Sequence, residues 1–170
     1  MAASLASLLA GATEQAVRSG LRSFEPLPHR LATVLSADGV TWIDDSKATN
    51  PDAVVKALES FDAPIVLIAG GKGKNTDFSD LGRAASHRAK AVVLIGESAK
   101  AIGSCISGIS VHYASSMEDA VETAARAAGH GDVVLLSPGC ASFDMFDSAE
   151  HRGVVFSALA RDRAGGVKAT

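Results

Sequence analysis

"PIVLIAG", residues 64–70, is a run of aliphatic, largely β-branched residues bounded by a proline and a glycine. It is too short for a buried helix, and its lack of polar alternation marks a strand covered on both faces. Three further segments repeat the pattern: "AVVLIGE" at 91–97, "ISVHYA" at 109–114 and "DVVLLSP" at 132–138. The stretches between them have helical spacing, so strands alternate with helices, as in a parallel sheet whose crossovers cover both faces. "RLATVLSADGVTWID" at 30–44 differs, with two apolar-rich runs about the turn dipeptide Asp38-Gly39, and it predicts a β-hairpin. The expected fold is therefore α/β: a Rossmann-like, doubly wound, mostly parallel sheet with helices on both faces and an N-terminal β-hairpin.

Helix starts sharpen this pattern. Asn50-Pro51-Asp52 supplies a cap, a proline where an N–H is dispensable and a first-turn acid, ahead of "AVVKALESF". Ser115 with Glu118 reads as a capping box, and Ser79 with Asp80 as the opening of "LGRAASHRA". "EHRGVVFSALARDR" at 150–163 has the spacing of a closing helix. Residues 1–23 read as a helical lead-in, 24–163 as the main domain and 164–170 as a flexible tail.

Composition bounds the function. With 170 residues, 47% hydrophobic and 21% charged, the chain supports one well-filled core. A net charge of −3 and no Lys/Arg stripe interleaved with aromatics disfavour nucleic acid. Apolar runs are of strand length, short of the ~20 residues a membrane span needs. "SLASLLAGA" at 4–12 has the texture of a secretory core, but no Lys or Arg precedes it, so it reads as a helix end. Cys105 and Cys140 have neither disulfide-framework nor zinc spacing, which fits a reducing cytoplasm.

In such sheets ligands sit outside the carboxyl ends of the parallel strands. Four loops fall there: "DDSKATNPD", "GGKGKNTDF", "IGES" and the opening of "SPGCASFDMF". "GGKGKNTDF" fails the Walker pattern, because Ile68 stands five residues before Gly73 and Asn75 follows Lys74. A carboxylate or phosphate receptor around Lys74 remains open beside a merely basic, solvated turn. Cys140, with His151 downstream, could be a nucleophile with a base, yet no G-x-S/C-x-G elbow is present and free cysteines are usually buried hydrophobes. His29, His87, His112 and His130 lack metal-ligand spacing. Asp44 reads as a solvated acid at a strand end.

Taken together, "LPHR" at 27–30, "DDSKATNPDA" at 44–53, "GGKGKNTDF" at 70–78, "LLSPGCASFDMF" at 135–146 and "EHRG" at 150–153 resemble the C-terminal domain of the muramyl ligases, in the branch that adds D-glutamate. The match runs from Phe24 to about Ala160. The resemblance implies a three-domain enzyme with a first domain for the UDP-sugar, a central P-loop ATPase and a last domain that delivers the amino acid. This chain, without a Walker A motif, corresponds to the last, with residues 2–23 the end of the preceding domain. Implied partners are D-glutamate, ATP, UDP-N-acetylmuramoyl-L-alanine and the N-terminal and central domains, with Mg2+ held mainly by the central one. The implied reaction is amide formation with release of ADP and phosphate, and the isolated chain is expected to be inactive.

Carried over residue by residue, Thr49 and Lys74 would hold D-glutamate, Ser142 its other carboxylate, and Phe143 lies beside it. Arg30, Asp45 and Lys47 would face ATP, Asp45 suiting a ribose hydroxyl and Lys47 doubling as the catalytic candidate. Two departures stand out: Ala149 where the family often has an aromatic residue, and Gly139 in place of a common alanine. The alternative is a nucleotide- or anion-binding regulatory module without catalysis, which would leave "DSKATN" and "SPGCASFDMF" without a task.

Overall fold

The computed structural model describes residues 2–24, 27–73 and 75–166. Two helices come first, α1 (Ala2–Leu9) and α2 (Glu14–Ser23), followed by strands β1 (Ala32–Ala37) and β2 (Val40–Asp44). Then come α3 (Pro51–Glu59), β3 (Ile65–Gly70), α4 (Ser79–Arg88), β4 (Ala89–Ile95), α5 (Ala99–Gly103), β5 (Ser110–Tyr113), α6 (Met117–Ala127), β6 (Val133–Leu136) and α7 (Ala149–Gly166). The strands form one sheet in the order β1-β2-β6-β3-β4-β5, with β1 antiparallel to β2 and every other pair parallel. Positive φ at both Asp38 and Gly39 gives the β1–β2 turn the twist a two-residue hairpin needs. Chain order reverses across the β3/β6 pair, so the loops after those strands face one crevice.

The unbroken apolar runs are explained by two cores. Ile65 and Leu67 of β3 pack with Val54 and Leu58 of α3, Leu81 of α4 and Ile102 of α5. Val66 and Ile68, one residue out of phase, pack with Met117 and Val121 of α6 and Phe156 and Ala160 of α7. Each fully buried Leu, Ile or Val contributes about 1.5–3 kcal/mol by leaving water. Helix α2, by contrast, has no buried residue, and Leu21 and Phe24 are exposed.

Helix α3 is capped by Asn50, whose Oδ1 accepts the Ala53 N–H at 3.0 Å, with Pro51 at the first helical position. Two other expected caps shift. Helix α6 starts from Ser116, whose Oγ accepts the Asp119 N–H at 3.1 Å, while Asp119 Oδ2 accepts the Ser115 N–H at 2.9 Å. The box is thus Ser116/Asp119 rather than Ser115/Glu118, because this register turns Met117, Ala120, Val121 and Ala124 into the core. At α4, Asp77 Oδ1 accepts the Ser79 N–H at 2.9 Å and the Ser79 hydroxyl at 2.6 Å, so Ser79 is the first helical residue and Asp77 holds the turn. Helix α7 continues through Gly166, so residues 164–166 of the expected tail are helical and 167–170 lie outside the described residues.

One side chain ties the last helix to the sheet's carboxyl edge. Arg152, in the first turns of α7, is 1% exposed. Its Nε donates to Ser46 Oγ at 2.9 Å, one terminal nitrogen to Ser46 O at 2.9 Å and the other to Cys140 O at 3.1 Å. Ser46 Oγ in turn donates to Ala149 O at 2.7 Å. Burial lowers the Arg152 pKa to about 10, so the group remains charged at neutral pH.

Two outcomes follow for stability, both measured by urea denaturation. Arg152→Lys should destabilise by about 2 kcal/mol or more, because an ammonium cannot serve three acceptors in a planar fork and leaves a buried acceptor unpaired. Ser116→Ala should cost about 1 kcal/mol, while Glu118→Ala should cost about 0.5 kcal/mol or less.

Candidate functional site

The sheet's hydrogen bonding runs on past its strands and laces the post-strand loops together. Asp45 N–H reaches Leu136 O at 2.8 Å, Ser137 N–H reaches Ile68 O at 3.1 Å, Gly70 N–H reaches Pro138 O at 2.8 Å and Gly71 N–H reaches Ile95 O at 3.0 Å. Lys72 and Ala141 form a short antiparallel bridge, and Gly139 N–H donates to Ala48 O at 2.8 Å. The four loops expected to carry the site therefore form one connected platform.

On its β2 side, Arg30, Asp45 and Lys47 line a single pocket of about 330 Å³, together with Leu31, Asn50 and Ala57. Asp45 is 5% exposed: Oδ2 accepts the Ser137 hydroxyl at 2.9 Å and Oδ1 the Leu31 N–H at 3.2 Å. Burial pushes its carboxyl pKa up, against the opposing pull of those two donors and of the Arg30 charge. The Lys47 N–H donates to His29 O at 3.0 Å, and its ammonium pairs with Glu150 at the start of α7. Hydrogen bonding by Lys47, then by backbone N–H and Ser148, draws the Glu150 pKa down to about 2.

Asp44 is not the solvated acid its position suggested. It is 2% exposed, and Oδ2 lies 2.7 Å from His29 Nδ1 and 3.3 Å from the Ser157 hydroxyl, while Oδ1 accepts the Ser46 N–H at 2.9 Å. Helix α7 and the "LPHR" segment cover the end of β2, so this carboxylate anchors them both.

Around the β3/β6 crevice, Thr49 is exposed just ahead of the α3 cap. Ser142 is 2% exposed, and its carbonyl closes a tight turn by accepting the Met145 and Phe146 N–H groups at 3.1 and 2.8 Å. Phe143 is largely exposed. Lys74 lies outside the described residues. Ala149 opens α7. Cys140 is buried in the core beneath α3 and α4, and burial raises its thiol pKa. His151 Nδ1 is engaged with Asp147 at 3.2 Å. A buried, protonated thiol whose candidate base pairs elsewhere is no nucleophile. Among the described residues no cluster of three or more His, Cys, Asp or Glu is placed to hold a metal, and no helix is long and apolar enough to cross a membrane.

Ser46, Ser137 and Arg152 are structural partners of the site beyond the residues expected from the sequence. Arg152 had a legible signal, since it shares one helical stripe with buried Phe156 and Ala160 at four-residue spacing. Ser137 and Ser46 had none, because their partners are 92 and 106 residues away in sequence.

Comparison with known proteins places this platform. A family model described as "Mur ligase, glutamate ligase domain" matches residues 29–140. The UDP-N-acetylmuramoylalanine–D-glutamate ligase of Salinibacter ruber is 46% identical over 161 residues, which make up 94% of this chain and 35% of that protein. The chain thus spans about a third of the length of such relatives. Two solved structures share the fold at low identity. The UDP-N-acetylmuramate-alanine ligase of Thermotoga maritima has a TM-score of 0.70 at 16% identity, covering 96% of this chain and 36% of that one. The MurF ligase of the same organism, in complex with ADP, has a TM-score of 0.64 at 19% identity, covering 94% and 37%. With the family model covering its sheet and loops, and a relative of that identity spanning nearly all of its length, this chain belongs to the Mur ligase family, as a glutamate ligase domain.

Proposed function

We propose that this chain is the amino-acid-delivering domain of an ATP-dependent ligase that joins D-glutamate to UDP-N-acetylmuramoyl-L-alanine, with release of ADP and phosphate. The observation that carries this is the convergence of Arg30, Asp45 and Lys47 on one pocket, on a platform that also bears Thr49 on the same post-β2 loop and Ser142 on the loop after β6. In the proposed reaction ATP phosphorylates the L-alanyl carboxylate, and the D-glutamate amine displaces the phosphate to give the amide.

The side chains suit these tasks. A carboxylate already fixed by two donors can accept from ribose hydroxyls without reorganising, which is the part assigned to Asp45. Arg30 supplies positive charge toward the phosphates, and Lys47 would add to it by exchanging its Glu150 partner for the ligand. Two carboxylates of D-glutamate must be held while its amine stays free, and hydroxyls, N–H groups and one lysine accomplish this without trapping the amine. Thr49, Lys74 and Ser142 take that part, with Phe143 walling the site. Ala149 opens a helix, so its N–H needs no intrahelical acceptor and can serve a ligand whatever its side chain.

Mg2+ would enter with ATP, its ligands supplied chiefly by the rest of the ligase, and no step is assigned to it through these residues. The chain alone is proposed to be inactive, the first and central domains being required. A purely regulatory module finds no support in relatives that are ligases over nearly the whole chain.

The decisive experiment is steady-state phosphate release by a ligase carrying this chain as its last domain, with each substrate varied in turn. Lys74→Ala and Ser142→Ala should each raise the KM for D-glutamate, by roughly ten- to two-hundred-fold, the range set by about 1.5–3 kcal/mol for a hydrogen bond to a charged group. Lys74→Ala should have the larger effect, and the KM for ATP should barely move. A severalfold change in the ATP KM with D-glutamate untouched would make "GGKGK" a phosphate loop instead.

The Lys47–Glu150 pair offers a pH test in the unliganded chain. Because the folded pKa of Glu150 is depressed, the pair's contribution is present above about pH 4.5 and is lost as pH falls toward about 2. Carboxyl titration by NMR should show Lys47→Met returning Glu150 toward 4.5.

A further inference from the structure

The loop between β4 and α5, Gly96–Ser98, carries none of the residues assigned to ATP or D-glutamate, yet it grips two of the three loops proposed to bind the amino acid. Toward the loop after β3, the Ser98 N–H donates to Gly71 O at 2.9 Å and Ser98 Oγ accepts the Gly73 N–H at 2.7 Å. A Cβ on Gly73 would lie 2.6 Å from Ser98 Oγ, so only glycine allows this approach. Toward the loop after β6, the Glu97 N–H donates to Asp144 Oδ2 at 3.0 Å. Asp144 belongs to the turn closed by the Ser142 carbonyl, and its buried Oδ1 has no hydrogen-bond partner among the described residues. Ser98 is 7% exposed, and its hydroxyl also bonds the Cys140 side chain, so it is engaged within the protein and not with solvent.

A site that distinguishes one dicarboxylate from a shorter one must keep its two carboxylate-binding walls at a fixed separation. Here the walls stand on separate loops, and the loop after β4 touches each of them. We infer that Ser98 and Asp144 are positioning residues that set the spacing of the amino-acid site, Ser98 by fixing the backbone at Gly73, which precedes Lys74 in the chain, and Asp144 by fixing the turn that bears Ser142. This rests on the D-glutamate reading above. Its consequence is selectivity by length: D-glutamate is preferred over D-aspartate because the brace does not let the walls close by one methylene.

The test is NMR titration of the 170-residue chain with D-glutamate and, separately, with D-aspartate, combined with amide hydrogen exchange. Ser98→Ala should weaken D-glutamate binding about tenfold, narrow the D-glutamate over D-aspartate preference to a similar extent and speed exchange of the Gly73 amide. Ser98→Thr, which keeps the hydroxyl, should restore all three. Asp144→Ala makes the same test from the other side with Ser98 in place, read at the Glu97 amide, and Asp144→Asn should rescue it. If Ser98→Ala or Asp144→Ala frees its amide but leaves both affinities at the wild-type level, the positioning role is overturned and the D-glutamate reading stands. If the wild-type chain shows no shifts with D-glutamate, that reading falls and the inference with it.

Discussion

A buried guanidinium sets the terms for this domain. Taking Arg152 out of water is tolerable only if its donors are met, and they are met by two backbone carbonyls and a hydroxyl, with no carboxylate among them. Those acceptors belong to the loops after β2 and β6, so neither loop can shift without stranding a charge. The last helix, the central strand and the edge of the hairpin are thereby made one mechanical unit. Of the residues proposed to meet ATP and D-glutamate, Asp45, Lys47, Thr49 and Ser142 stand on the two loops that this charge locks.

The adjacent acids Asp44 and Asp45 show how the same edge divides its labour. Successive residues at a strand end point to opposite faces, so two neighbouring carboxylates need not compete. Asp44 turns toward α7 and is spent on His29, Ser46 and Ser157, whereas Asp45 turns toward Ser137 and the pocket. One is an anchor and the other a presented acceptor, although both are aspartate. Position on the pleat decides their roles.

What could be seen in the sequence was whatever depends on neighbours. Three buried strands, the Asp38-Gly39 hairpin and the Asn50 cap are local patterns with local causes, and all appear in the structure, whereas β5, expected to be covered on both faces, is an edge strand with Ser110, His112 and Tyr113 exposed. The caps of α4 and α6 were displaced by one or two residues because several hydrogen-bonding side chains stand in a row there, and packing of the helix face chooses among them. The platform was legible only as a set of loops at one edge of a sheet. Its bonds, such as Arg152 to Ser46 and Ser137 to Asp45, join residues with no spacing relation. Burial of Asp44 was likewise unreadable, since it is imposed by a helix more than a hundred residues downstream.

The position of β6 has a consequence for how the chain comes into being. The last strand of this sheet to be synthesised lies between β2 and β3, which do not pair with each other. Until Val133–Leu136 has left the ribosome, the nascent chain can assemble only a β1–β2 hairpin and a separate β3-β4-β5 sheet, each presenting an unpaired edge toward the gap. Insertion of β6 closes that gap between strands far apart in sequence, a step slowed by the entropy of long loop closure. The same step brings residues 45–49 and 70–73 together through 137–141, so the platform does not exist at any earlier stage of synthesis.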